Sequence, residues 1–450
     1  MKIKLENQKF NTCLETSDWR YSAAINGLVE YFQYYEKDNV EYEIKNDCLF
    51  YNEEDINEER YLEFAEDFYK DDMHHKIIEN MLQKEEFSDA DIKDINDKLK
   101  ANTILKKVFG KVKFDGKNSD EILNIILKNK SVLIKETFKN KNNLYANYCN
   151  TNSLFSNEGQ CCRLIGYYID TGKKGKSISY NFNKNNYIYE DDIVFDFIPF
   201  SFNGKREKFF INDNITIDNL IKSNNTYKSL VENSDIKDGM SDSKKILFNN
   251  IIELDDFINS DIEVISKKQE NDFFETLYIR EESIECLKKI KSFYKVFNTV
   301  KKITDDYWIN VYDEVIDCIL NEVRVDKLIE MFLKENERSY VVSKLIDVNI
   351  IIENGGEVME KRTKAAYASA KAVVEKIPEN KLTSYRQKLT SAIVFRDYDR
   401  FCDILLQLSN YSDVSFDFAY DLFEDFESNK DVAYSFVNSL IKKENDGGKE

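Results

Sequence analysis

The chain has 450 residues, 42% apolar and 13% aromatic, and its 83 Asp and Glu outnumber 64 Lys and Arg to give a net charge of −19. That apolar content excludes a disordered chain, and the length predicts two or three domains. With only 2 prolines and 13 glycines, a sandwich or barrel of many tight turns is disfavoured and long helices joined by polar loops are expected.

The opening MKIKLENQKF has no apolar core and no small-residue cleavage site, and no stretch reaches the apolar length of a membrane span. A cytoplasmic protein with no membrane partner is expected. The eight cysteines (Cys13, Cys48, Cys149, Cys161, Cys162, Cys286, Cys318 and Cys402) are scattered and read as reduced thiols, several of them in the core.

In chain order, Ser17 or Asp18 can cap a helix whose Ile25, Leu28, Val29 and Phe32 repeat at i, i+3, i+4 and i+7. A hairpin follows, with Val40, Tyr42 and Ile44 alternating, a turn at Asn46-Asp47 and a return through Cys48 to Tyr51. Acidic helices are expected over Glu54 to Lys107, and one further helix over Ser119 to Phe138. Ile178-Tyr180-Phe182, Ile193-Phe195-Phe197 and Phe209-Ile211 alternate as strands, with Pro199 marking a strand end or edge. A weak linker spans Asn233 to Lys245. Helical periodicity then runs to the end, with breaks near Asn354-Gly355-Gly356 and Pro378. The expected fold class is α+β: a mixed N-terminal domain over 1–240, a helical connecting region over 241–354 and an all-helical bundle over 355–450.

Charge is unevenly placed. Glu30 to Leu99 holds 23 Asp and Glu against 8 Lys and Arg, whereas Lys100 to Asn186 holds 16 Lys and Arg against 6 acids. Such a reversal favours an oriented surface. Within the basic segment, Gly172-Lys173-Lys174-Gly175-Lys176 can bring backbone N–H groups and ammonium groups to a phosphate, and Gly204-Lys205-Arg206 repeats the pattern. Solvated hairpin tips would look the same. Asn150, Asn152 and Gln160 could read adenine or simply form turns. Near the end, Glu360 to Arg400 has 10 basic residues against 5 acidic ones, and Phe401 to Ile441 has Lys430 against 8 acids. Lys361, Arg362, Lys364, Lys371, Arg386 and Lys388 therefore form a candidate backbone-tracking face, with plain surface solvation as the competitor.

Catalytic material is sparse. His74 and His75 are the only histidines and read as surface residues of an amphipathic helix. Neither a dinucleotide glycine motif nor a phosphate-binding P-loop occurs. Cys149, Cys161 and Cys162 lack the C-x-x-C spacing that lets two thiolates share one tetrahedral ion. No enzyme activity, cofactor or metal is expected.

Three passages resemble the large subunit of type I-B CRISPR surveillance complexes. They are Ser17-Asp18-Trp19 through Gly27-Leu28, Cys149 to Phe202 with its Phe197-Ile198-Pro199-Phe200, and Tyr385-Arg386 through Arg400-Phe401 with Leu405-Leu406. The chain departs from that family's paired C-x-x-C signature. The resemblance implies a non-catalytic subunit of an RNA-guided complex that senses the short motif flanking a target in duplex DNA, aids duplex opening and recruits a helicase-nuclease. Implied partners are a guide RNA ribonucleoprotein with backbone and handle-binding subunits, target double-stranded DNA, a small subunit and the helicase-nuclease. It also implies that an internal start at Met359 yields a separate small subunit, and Gly355-Gly356-Glu357 can encode a ribosome-binding sequence just upstream. The competing readings are an intracellular protein scaffold without nucleic-acid contact and, more distantly, a metal-independent nuclease.

Overall fold

The computed structural model describes residues 1–6, 9–156, 163–166, 192–233, 243–255, 257–335 and 338–442. It is α+β, with small antiparallel sheets in the N-terminal part and helices in the C-terminal part. Two compact units are formed, one from 1–247 with 262–278 and the other from 248–261 with 279–450.

The first unit opens with strands β1 (Lys2–Lys4) and β2 (Thr12–Glu15), then helix α1 (Trp19–Tyr34). Asp18 caps α1 by accepting from Arg20 N at 2.8 Å, which satisfies an orphan donor of the first turn. The periodic Ile25, Leu28, Val29 and Phe32 are all buried. Each such side chain contributes about 1.5–3 kcal/mol of burial. Strands β3 (Glu43–Lys45) and β4 (Cys48–Tyr51) form the expected hairpin. Asn46 and Asp47 both take positive φ, 51° and 57°, the mirror-image turn whose twist suits paired strands. The sheet order is β1-β2-β4-β3.

The acidic segment is helical as expected, in α2 (Glu58–Phe68), α3 (His74–Met81), α4 (Asp89–Lys98) and α5 (Thr103–Phe109). The single helix expected over Ser119 to Phe138 is instead two, α6 (Ser119–Lys128) and α7 (Lys130–Asn140), broken at Asn129. Asn129 donates its side-chain amide to Ile125 O at 2.8 Å, competing with the backbone ladder.

Ile193–Ser201 is a correction: it is a 3₁₀ helix, not a strand, and Pro199 lies inside it. Side chains from Val194 to Ser201 are all buried, so alternation could not sort faces. Its carbonyls bond laterally, Tyr61 Oη donating to Asp196 O at 2.5 Å and Tyr69 Oη to Pro199 O at 2.7 Å. Phe195, Phe197, Phe200 and Phe202 join Trp19, Tyr31, Tyr61 and Tyr69 in one core. A second sheet, β5-β6-β7-β8, combines β5 (Asn203–Gly204) and the expected β6 (Glu207–Asn212) with β7 (Ile262–Lys268) and β8 (Glu275–Ile279). Between them run α8 (Ile217–Asn233) and α9 (Ser243–Glu253). Strands β7 and β8 correct the expectation of a helical connecting region from 241 onward.

The second unit holds α10 (Glu281–Lys289), a hairpin of β9 (Val300–Lys302) and β10 (Trp308–Asn310), and α11 (Val311–Leu320). A bundle follows: α12 (Asp326–Glu335), α13 (Ser339–Ile352), α14 (Gly356–Lys376), α15 (Glu379–Val394), α16 (Tyr398–Ser412), α17 (Ala419–Glu424) and α18 (Lys430–Ser439). The break expected at Asn354-Gly355-Gly356 is present, Asn354 and Gly356 taking φ of 51° and 55°, and Pro378 is the residue before α15. The central helix is α18, packed against α12, α13, α14, α15 and α17. Helices on both sides of Asn354 thus share one core. Asp431 of α18 ties them: its Oδ1 accepts from Arg324 Nη2 at 2.8 Å and from Asn349 Nδ2 at 2.9 Å.

Candidate nucleic-acid interface

The expected site residues fall in different places. Lys173, Lys174 and Lys176, like Cys161, Cys162 and the strand expected at Ile178-Tyr180-Phe182, lie outside the described residues. The segments that flank 167–191 are described, and they are anchored deeply. Arg163 Nη1 meets Asp196 Oδ1 at 2.8 Å and Oδ2 at 2.9 Å. Asp196 also accepts from Tyr145 Oη at 2.5 Å and Phe155 N at 2.9 Å. Burial pushes the Asp196 carboxyl up to about 6, against the opposing pull of Arg163. Around it, Asn150 N bonds Arg163 O and Ile165 N bonds Tyr148 O.

Lys205 and Arg206 occupy the turn between β5 and β6, both exposed. Gly204 has φ +135°, and a Cβ there would collide with Glu207 O, so glycine is required for this turn. Ser243 Oγ accepts from Lys205 N at 3.3 Å. The turn is held while its two cations face solvent.

In the bundle the six expected residues divide. Lys361 and Lys364 on α14 are 77% and 76% exposed, with Glu357 and Glu360 one turn away at 3.5 and 3.2 Å. Lys388 on α15 is exposed too. Arg362 is engaged by Asn429 and Asp421, and Lys371 donates to Ser439 O at 3.1 Å. Arg386 corrects the expectation outright: it is 2% exposed, and its Nε donates to Val437 O at 3.1 Å. Burial lowers this guanidinium to about 10. Charge counting over Glu360 to Arg400 places it with the surface cations, but it faces α18.

Tyrosines accompany the lysines, a feature that charge counting passed over. Lys371 Nζ lies 5.4 Å from the Tyr367 ring and Lys388 Nζ 5.9 Å from the Tyr385 ring. Tyr385 in turn packs on Tyr411, their centroids 6.2 Å apart. Tyr367 and Tyr411 are exposed. The spacings Tyr367–Lys371 and Tyr385–Lys388 were readable as helical neighbours.

His75 is a second correction. It is fully buried, with Nε2 2.9 Å from Glu66 Oε1, and Lys130 reaches Glu66 Oε2 at 2.8 Å. Burial resists ionisation of Glu66, but the hydrogen bonds from His75 and Lys130 prevail and lower its pKa. Cys149 is buried beside Leu164. Among the described residues no three His, Cys, Asp or Glu side chains are grouped as metal ligands, and no helix is long and apolar enough to cross a membrane.

Residues 10–440 match a family of CRISPR-associated proteins. The match takes in nearly the whole chain, which therefore belongs to the family described as CRISPR-associated protein Csx8. No curated protein and no solved structure matches the chain significantly.

Proposed function

We propose that this chain is the non-catalytic large subunit of an RNA-guided, type I-B DNA-targeting complex. It recognises the motif flanking the protospacer, aids duplex opening and recruits the helicase-nuclease. Family membership and the resemblance of Ser17–Leu28 support this reading. The observation that carries it is that α14 to α16 hold exposed lysines, Lys361, Lys364 and Lys388, together with exposed tyrosines, Tyr367 and Tyr411. Ammonium groups neutralise phosphates, and tyrosine rings give stacking platforms that tolerate any base. The surplus of acid elsewhere suppresses adventitious DNA binding and suits contact with basic neighbouring subunits.

An internal start at Met359 would keep α14 from its fourth residue, with α15 to α18, as a separate small subunit. Such a fragment loses α12 and α13, which pack against α18, together with the Arg324 and Asn349 partners of Asp431, so it needs a replacement partner surface. A second reading, a scaffold without nucleic-acid contact, is favoured by exposed Tyr420 and Phe423 on the acidic α17. Binding of target duplex by the guide-RNA complex, assembled with and without this chain and titrated against salt, tests the proposal. A DNA-contacting subunit raises affinity and steepens the salt dependence, and a scaffold leaves the slope alone.

A further inference from the structure

A cleft of about 790 Å³ opens in the first unit, and none of the lysines and arginines considered above lines it. Its size is that of a typical small-molecule or nucleotide site. Helix α3 contributes His74, the start of α5 contributes Asn102, and the end of α7 with its following loop contributes Asn140, Asn142 and Asn143. Gln269, after β7, completes the wall. Five amide side chains thus converge from three parts of the chain.

Their hydrogen bonds leave spare capacity. Asn102 Oδ1 accepts from Leu105 N at 2.8 Å, which leaves its NH2 group to donate. Asn140 donates to Glu136 at 2.8 Å and Asn143 to Asp72 at 2.6 Å, which leaves both Oδ1 atoms to accept further. Asn142 and Gln269 are exposed and make no hydrogen bond to another described residue, so each offers a full donor–acceptor pair. Lys141 in the wall is taken by Asp72, its Nζ 3.0 Å from Oδ1. Burial, and then Lys141 and Lys98, lower the pKa of His74, and a neutral imidazole adds one donor and one acceptor. The cleft is therefore rich in mixed donors and acceptors, and among the described residues its one unpaired charge is the carboxylate of Glu136, which Asn140 meets. Lys106 and Lys107 are exposed on α5, the helix whose start lines the cleft, and Lys100 is exposed just before it.

That division suits one chemistry. A phosphate site would place unpaired cations and N–H donors inside. Here amides are the commonest lining side chains, and amides read base edges, as in the two-point contact of Asn or Gln with adenine. We infer that this cleft binds nucleobase edges of target DNA beside the guide-paired region, with the α5 lysines holding the adjoining backbone. The inference rests on the DNA-sensing function proposed above and assigns that sensing to residues outside the glycine-lysine turns.

The test uses the assembled guide-RNA complex and a pool of target duplexes randomised at the flanking positions. Complexes carrying Asn142→Ala with Gln269→Ala, or the charge-introducing Asn142→Asp, are compared with wild type. Both positions are exposed, so the chain should fold and assemble normally. Expected is a loss of preference for the favoured flank of about fivefold to a hundredfold, with guide-RNA loading unchanged. Wild-type preference retained by both variants would overturn the cleft assignment while leaving DNA sensing intact. A defect in guide-RNA loading alone would overturn it in favour of an RNA site. A wild-type complex with no flank preference would refute the underlying function itself.

Discussion

Arg163 and Asp196 form a buried ion pair, 1% and 0% exposed, that joins the two segments flanking residues 167–191. Charges are expensive to bury, and removing one partner leaves the other stranded. Asp196→Ala should therefore destabilise the first unit by about 3–5 kcal/mol, read as a lowered midpoint in urea unfolding. Replacing both, Arg163→Met with Asp196→Leu, should recover much of that loss. Equal damage from the pair and the single variant would show that the ion pair is not what matters here.

Gly27 gives a sharper steric test. A Cβ at this position would clash with the backbone oxygen of Phe197, because α1 lies directly against the 3₁₀ helix. Gly27→Ala should cost about 1–3 kcal/mol or more through overpacking. Since Ala favours helix by up to about 1 kcal/mol over Gly, a gain in melting temperature would mean the close approach is absent.

Lys267 makes a pH-dependent contribution. Fully buried, it donates to Asn147 Oδ1 at 3.0 Å, Lys268 O at 2.8 Å and Asn271 O at 2.5 Å. Burial lowers its pKa from 10.5 to about 8, against the opposing Asp272 and Glu270. Between those values the unfolded chain holds a proton that the folded chain has released, so this group's stability contribution rises with pH. Below about pH 8 both states are protonated and the contribution is flat. Denaturant unfolding of wild type and Lys267→Met, compared from pH 7 to pH 9.5, should show wild type gaining on the variant only above about 8. A constant difference across the series would contradict the assignment.

These particulars show what the residues disclosed and what they hid. Asp18, Asn46-Asp47 and Pro378 announce local structure by their own chemistry, and each does what it announces. The resemblance at Ser17–Leu28 rests on packing: Asp18 caps, Trp19 lies 4.9 Å from the Phe274 ring, and Gly27 admits Phe197. The segment Ile193–Ser201 could not be read because it is buried all round, so no alternation separated strand from 3₁₀ helix. Strands β7 and β8 depend on β6, more than 50 positions earlier (Asn212 pairs with Glu263), which a local window does not see. Arg386 and His75 were misplaced for a common reason. Residue type predicts exposure, but Val437 O and Glu66 supply buried partners that only the fold brings close. The amide cleft was illegible as well, since Asn102, Asn140 and Gln269 meet only in three dimensions.

A fourth prediction separates the bundle's surface residues from its buried one. Arg386→Met removes a buried charge and should leave nucleic-acid binding unchanged, with stability unchanged or raised by about 1–4 kcal/mol. A large loss of binding by a well-folded Arg386→Met complex would restore it to the interface.

Met359 provides the fifth. Expression of the gene alone should give a second product starting at Met359, and Met359→Leu should remove it while the full chain still folds, the two side chains being close in volume and helix propensity. Intact-mass spectrometry showing only the full-length chain from the unmodified gene would refute the internal start.

The most direct measurement is the salt dependence of target-duplex binding by the complete guide-RNA complex, with the wild-type chain and with Lys361, Lys364 and Lys388 all changed to alanine. The account predicts weaker binding by the triple variant, and a plot of log affinity against log salt flatter by about 0.7 to 0.9 for each phosphate no longer neutralised. Identical affinity and slope for the two complexes would contradict the claim that this face of the bundle meets DNA.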